Sequence, residues 1–312
     1  MKIFKVGTRG SALALKQTEL IIGRMQRLYS SFNFEVIPIS TRGDRNRDSA
    51  PVSSRDKKDW IYDLELALIG KEIDFAVHSS KDVPIDISEE TELVPALERA
   101  NPKDAIILRN SVETKGQSAE DIIMNLPKGS TIGTSSLRRK AMLSALRPKI
   151  NIIPIRGNIT TRIRNLDSSE NLDAIVLAAA GLERIGLKKR INGEFSPREF
   201  IPAVNQGNLT IQFLKQREDL RNLFEKLSTE ELRISWSAER EVIKELGADC
   251  ESIVGVYCHK IDSELFEISC KVLSEDGKES ILVRETFKAP EVIPISKQVA
   301  KSIIDQGGDK YL

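Results

Sequence analysis

The sequence predicts an α/β protein that ends in a smaller α+β region. Two observations predict the first part. Over roughly the first 200 residues, short apolar runs alternate with longer helical patterns, as in a sheet that is at least partly parallel. Short apolar runs supply the strands, DFAV reading as a buried one and DAIVLA as a further one. A third observation predicts the ending: beyond Leu246, three strand-like runs follow one another and only then comes a helix.

The elements follow in order. KIFKV reads as a strand, and a helix from about Ser11 to Leu28 places Ala14, Ile21, Met25 and Leu28 on one stripe. FNFEVIPI alternates through Phe32, Phe34 and Val36, the period of a half-buried strand. A helix near Trp60 to Leu68 precedes DFAV, and AIIL (Ala105 to Leu108), STIG, INIIPI and DAIVLA read as further strands. Ser228 with Glu231 forms a capping-box pattern for a helix ending near Leu246. SIVGVYCHKI, LFEISCKVL and ILVRETFK then read as strands, and Ser296 to Ile304 as a helix, giving a small region from about Leu220 to Leu312.

The 312 residues carry 47 Lys and Arg against 46 Asp and Glu, a net charge of +1. A general nucleic-acid binder needs a basic excess, so no nucleic acid is expected as a partner, and any cationic function rests on local clustering. Aromatic residues are only 5%, so aliphatic side chains build the cores. The 3 cysteines, Cys250, Cys258 and Cys270, are too few for a disulfide framework and indicate a reducing compartment. The 2 histidines, His78 and His259, are far apart, so no metal site is expected. The chain opens on a strand pattern rather than a signal-peptide core, and no run of about 18 apolar residues occurs, so a cytoplasmic location without a membrane segment is expected.

Arginines recur where strands end. KIFKV runs into GTRGSA with Arg9, EVIPIS into TRGD with Arg42, and INIIPI into RGNITTRI with Arg156 and Arg162. In IGTSSLRRKA, Thr134, Ser135 or Ser136 is a candidate N-cap, which puts Arg138 and Arg139 in the first turn of a helix. Cations are disfavoured there because the helix N-terminus is already partly positive, and an anion removes the penalty. Ligands of open α/β sheets bind beyond the carboxyl ends of strands, and arginine offers a planar fork to carboxylate or phosphate. The pattern predicts a pocket for a ligand with several negative charges; solvated turns or structural ion pairs are the alternative use of the same residues. Two more stretches stand out. VHSSKDVP places Lys81 and Asp82 at the end of a buried strand, where a carboxylate can stabilise a cationic intermediate or move protons. Cys250 lies in the turn LGADCES, unlike Cys258 and Cys270, which sit in strand patterns as core thiols.

Together these residues resemble the porphobilinogen deaminase (hydroxymethylbilane synthase) family of tetrapyrrole biosynthesis. Matching stretches run along nearly the whole chain: GTRGSALAL, ISTRGD, DFAVHSSKDVP, ERANPKDA, IGTSSLRR, IRGNITTRI, LDAIVLAAAGLERIGL and IPAVNQG. The resemblance implies two α/β domains like those of type II periplasmic binding proteins, with the active cleft between them, and a small C-terminal α+β domain. Their expected bounds are 1–98 with 203–219, 99–202, and 220–312, the last carrying the cofactor cysteine. The implied cofactor is a dipyrromethane joined by a thioether to Cys250. Its implied contacts are Lys81, Asp82, Ser136, Arg138, Arg139 and Arg156. Asp82 is the implied catalytic residue, and Arg9, Ser11, Arg156 and Arg162 are the implied substrate contacts. The implied reaction joins four porphobilinogen molecules with loss of ammonia, giving hydroxymethylbilane, in a monomer that needs no metal or nucleotide.

The chain departs from the family at four places, one being SSKD (Ser79 to Asp82) where the family has SMKD. A glycine-rich lid loop is replaced over residues 53–60 by SSRDKKDW, in which Lys57 matches the family's lysine. The family's PAVGQG is PAVNQG, with Asn205 for glycine. Asp249 stands beside Cys250, where a negative neighbour raises a thiol's pKa. A second reading of these departures is a diverged, non-catalytic relative that binds an anionic pyrrole or another polycarboxylate.

Overall fold

The computed structural model describes residues 2–40, 54–109, 114, 116–249 and 252–312, without the side chains of 54–60. Arg42, Cys250 and the start of the lid segment lie outside the described residues. The chain forms two compact units. One comprises Met1–Ala100 with Asn208–Trp236, the other Asn101–Gly207 with Ser237–Leu312.

The first unit is a five-stranded sheet with helices on both faces. Its strands are β1 (Lys2–Arg9), β2 (Phe32–Ile39), β3 (Phe75–Ser79), β4 (Thr91–Ala96) and the late-arriving β10 (Leu209–Leu214), in the order β2-β1-β3-β10-β4. β1 runs parallel to β2 and β3, whereas β10 is antiparallel to both its neighbours. Helix α1 (Ala12–Leu28) lays Ile21 and Met25 of the expected stripe against Phe4, Val6, Phe75 and Val77, while Leu28 at its end stays exposed. Helix α2 (Ser54–Ile69) covers the other face with Leu64, Ala67 and Leu68 against Ala76 and Leu214. Burial on both faces is why DFAV lacks alternation. α2 starts six residues before Trp60, because SSRDKKDW has lost the glycines and offers helix-forming Arg and Lys instead. Strands β4 and β10 were not legible from periodicity: Pro95 interrupts the first, and buried Thr210 and Gln212 break the apolar run of the second.

The second unit repeats the strand order. Its strands β5 (Asp104–Leu108), β6 (Thr131–Gly133), β7 (Asn151–Ile153), β8 (Ala174–Ala178) and β9 (Gly193–Glu194) lie in the order β7-β6-β8-β5-β9. β6 is parallel to β7 and β8, and β5 is antiparallel to β8 and β9. In each sheet, therefore, the antiparallel insert is the strand that follows a crossing of the chain between units. The helices are α3 (Ala119–Asn125), α4 (Leu137–Leu146), α5 (Ile159–Ser168) and α6 (Ala179–Arg184). Helix α7 (Glu218–Glu225) belongs to the first unit, and α8 (Glu230–Leu246) follows it. The N-cap of α8 is Thr229, not Ser228: its Oγ1 accepts the Leu232 N–H at 3.2 Å, and the helix starts one residue later than the capping-box pattern suggests.

The C-terminal region is an antiparallel sheet of β11 (Val254–Lys260), β12 (Leu265–Leu273) and β13 (Ser280–Lys288), backed by helix α9 (Val292–Asp305). Cys258 and Cys270 are buried free thiols in it, and burial pushes the Cys270 thiol up to about 12. Two contacts seat this sheet within its unit. The Glu239 carboxylate of α8 accepts the Asn205 N–H at 2.5 Å and the Cys258 N–H at 2.8 Å. Asn205 sits at φ 55, a left-handed conformation that asparagine tolerates best after glycine, which accounts for PAVNQG keeping the turn. The β12–β13 turn rests on α4: a Cβ at Gly277 (φ 71) would lie 2.2 Å from the Ala141 carbonyl oxygen and 2.8 Å from the Ala145 nitrogen. Gly277→Ala thus meets both backbone strain and a backbone clash. It should cost about 2 kcal/mol or more, read as a lower urea midpoint. A midpoint unchanged from the parent would rule out this docking.

Candidate functional site

In the second unit, the two arginines of the LRR stretch occupy the first turn of α4, with Ser136 as N-cap. Their compensating anion comes from the chain itself. Asp104, fully buried at the start of β5, accepts from Arg138 Nη2 on Oδ2 at 2.7 Å. Its Oδ1 accepts from Arg139 Nε at 3.0 Å, Arg139 Nη2 at 2.7 Å and Gln206 Nε2 at 3.0 Å. The arginines are 5% and 7% exposed, and each also donates to a carbonyl, Arg138 to Ile201 and Arg139 to Val176. Burial disfavours the Asp104 carboxylate, but Arg138 and Arg139 outweigh it and hold the group well below the usual carboxylate range. Structural ion pairing, the alternative use of these residues, is thus realised for both. The cluster of two cations and one anion still keeps a net positive charge.

The neighbouring strand ends carry the rest. Ser135 Oγ donates to the Ile155 carbonyl at 2.7 Å and the Thr134 N–H to Ile153 at 2.9 Å, which lays the turns after β6 and β7 side by side. Arg156 is exposed on the second turn and makes no ion pair among the described residues. Arg162 donates from Nε to the Gly157 carbonyl at 2.7 Å, bracing the start of α5. This unit thus offers a net-positive cluster, an unpaired arginine and the N-termini of α4 and α5, neither with an acid in its first turn. A polycarboxylate such as a dipyrromethane fits that donor set in sign and in number of donors.

In the first unit, Arg9 ends β1, and Lys81 and Asp82 lie in the 3₁₀ turn Ser80–Asp82 that ends β3. The β1–β3 register, carried forward, sets Arg9 level with His78. Ser11 caps α1, accepting the Ala14 N–H at 3.2 Å, and keeps its own O–H to donate. Beneath the turn lies a polar row that the sequence reading did not single out. His78 Nε2 meets Gln212 Oε1 at 3.0 Å, and Ser80 Oγ meets Thr210 Oγ1 at 2.5 Å. Burial pushes His78 down to about 4, although Gln212 and Asp82 favour its charged form. His78 stood within a quoted motif, and Asp104 stood within ERANPKDA; their burial was the missing signal.

Two family models match the chain. One, described as "Porphobilinogen deaminase, dipyromethane cofactor binding domain", covers residues 4–222, and "Porphobilinogen deaminase, C-terminal domain" covers residues 234–305. The chain belongs to the porphobilinogen deaminase family. It is similar to the porphobilinogen deaminase of Chromobacterium violaceum, at 37% identity over 97% of this chain and 94% of that one. The porphobilinogen deaminase of Bacillus subtilis is 37% identical over 98% of this chain and 94% of its own. Among solved structures, an extracellular-binding protein of a probable amino-acid ABC transporter from B. subtilis is 14% identical, with a TM-score of 0.41 over 73% of this chain and 90% of that one. Family membership supports a transferase of tetrapyrrole biosynthesis with a dipyrromethane-binding domain, not the non-catalytic reading. Among the described residues no helix is long and apolar enough to cross a membrane.

The buried Asp104 cluster and the buried imidazole of His78 both bear on stability. Asp104→Asn strands two buried guanidinium groups and should cost about 3–5 kcal/mol at neutral pH, measured by urea unfolding. A loss under about 1 kcal/mol would remove the cluster from the fold's support. For His78, the folded pKa near 4 lies below the ordinary value of 6.5, so the unfolded chain binds more protons between them. Its stabilisation is complete above about pH 6.5 and declines as pH falls toward 4, by roughly 3 kcal/mol in all. His78→Gln should flatten that slope, and an unaltered slope would contradict a buried neutral imidazole.

Proposed function

We propose that the chain catalyses the stepwise deaminative condensation of four porphobilinogen molecules on a covalent dipyrromethane cofactor, releasing hydroxymethylbilane. The observation that carries this reading is the match of both family models across the chain, supported by the position of Arg9 and Asp82 at the carboxyl ends of adjacent parallel strands.

The residues take these roles. Cys250 holds the cofactor through its sulfur, and Lys81, Asp82, Ser136, Arg138, Arg139 and Arg156 bind it. When bound, the cofactor supplies the pyrrole position to which the first substrate unit is joined. Asp82 is the catalytic residue: its carboxylate stabilises the positive charge that develops on substrate as ammonia departs, an effect worth most where water is excluded. Arg9, Arg156 and Arg162 bind substrate carboxylates, and Ser11 donates its hydroxyl to one of them. Arg138 and Arg139, already tied to Asp104, contribute their remaining N–H groups and the net charge of the cluster. The helical start of α2 in place of a glycine-rich loop gives the lid a stiffer base. The functional division 1–98 with 203–219, 99–202 and 220–312 accompanies this reading, as do a monomeric state, a cytoplasmic location and no nucleic-acid partner.

The intact mass of the purified, denatured protein tests the reading directly, with Cys250→Ser measured alongside. An excess equal to two pyrrole units, absent from the variant, is expected. An unmodified mass, even after incubation with porphobilinogen or hydroxymethylbilane, would leave an anion-binding protein without this reaction. Asp82→Ala should keep the excess mass and lose turnover by about a hundredfold or more, whereas parent-like turnover would overturn its role.

A further inference from the structure

The buried polar row of the first unit is unused by the roles above, and its hydrogen bonds have a definite direction. Thr91 Oγ1 donates its one proton to the Ser88 carbonyl at 3.0 Å, so it accepts from Gln212 Nε2, 2.9 Å away. The same Nε2 donates to Glu65 Oε1 at 2.8 Å, and Glu65 also accepts the Ser88 N–H at 3.0 Å. Both amide protons of Gln212 are therefore committed, and its Oε1 is left facing His78 Nε2 at 3.0 Å. The proton of the imidazole must sit on Nε2. Gln212 is itself buried, in the middle of the inserted strand β10.

We propose that Gln212, its amide protons committed to Glu65 and Thr91, forms a relay that holds His78 as an Nε2–H imidazole behind the Lys81–Asp82 turn, so that no imidazolium opposes the field of Asp82 on the substrate. His78 and Gln212 are then positioning residues for the reaction. The proposal rests on the role assigned to Asp82.

The charged groups around His78 make the need plain. Asp82 favours a proton on the ring, Arg9 disfavours it, and Glu65 lies one amide away. A charged imidazole would pair electrostatically with Asp82 and cancel the field that stabilises a substrate cation. An amide at position 212 satisfies the ring without inviting the charge; a carboxylate there would invite it. Ser80, bonded to Thr210, and its N–H, donated to the Asn208 carbonyl at 3.1 Å, pin the next residue of the same turn.

Porphobilinogen turnover by the cofactor-loaded parent is measured first. No turnover overturns the reading of Asp82, and is distinct from failure of the relay, which NMR reads without turnover. The chain has 2 histidines, so His78→Gln assigns the His78 imidazole signals. In the parent, an Nε2–H tautomer with no titration from about pH 8 to about pH 5 is expected. Gln212→Glu places a carboxylate against Nε2, with Glu65 adding to the negative charge. His78 should then titrate between about pH 5 and about pH 8, and kcat should gain an acid-side fall with the same midpoint while KM stays within about twofold. A kcat profile blind to that titration overturns the proposal, as does a parent ring with its proton on Nδ1. Should Gln212→Glu not fold, Gln212→Met carries the test. Mixed tautomers with a several-fold lower kcat are expected, and parent-like tautomer and kcat overturn it.

Discussion

The second unit depends on one carboxylate. Asp104 joins the start of β5 to the first turn of α4 through two guanidinium forks, and those forks reach on to the Val176 and Ile201 carbonyls. Gln206, from the loop before β10, closes the remaining approach. Removing Asp104 leaves two guanidinium charges unpaired in a dry interior, so both arginines depend on it. This is how two cations come to occupy a helix N-terminus that disfavours them. The surplus positive charge of the cluster is a property of the fold, present before any ligand arrives.

The first unit solves a related problem with neutral groups. Its inserted strand β10 offers Thr210 and Gln212 to Ser80 and His78 on β3, as β5 offers Asp104 to α4 in the other unit. In both sheets the antiparallel insert supplies the buried polar partner for the segment that follows a parallel strand. Placing these partners on a central strand gives them neighbours on both sides and excludes water, which strengthens each bond. Arg156, by contrast, is exposed on its turn and makes no ion pair among the described residues.

Legibility varied with the kind of signal. Strands β1, β2, β3, β5 and β8 and helix α1 were readable because apolar periodicity reports burial directly. Strands β4 and β10 were not, since Pro95, Thr210 and Gln212 look like breaks until their cross-strand partners are known. The capping box was displaced by one residue because Ser228 and Thr229 are equally good caps by type, and only the Leu232 N–H distinguishes them. Among candidate site residues, Arg9, Lys81, Asp82, Arg138 and Arg156 were found from their positions at strand ends. Asp104 and His78 were passed over, because a single acid or histidine carries no mark of being buried.

By itself the sequence determined the α/β class, the strand-end arginines, the Lys81–Asp82 turn and the family resemblance, all of which rest on residue type and local spacing. The tertiary structure alone decided which charges face inward. Asp104 and Arg139 are 35 residues apart and Gln212 and His78 are 134 apart, and only packing of a helix on a sheet in the first case, and strand pairing in the second, brings them within hydrogen-bond reach. Local patterns carry propensity and periodicity; the desolvation that sets a buried charge's partner and protonation arises only when distant strands close over it.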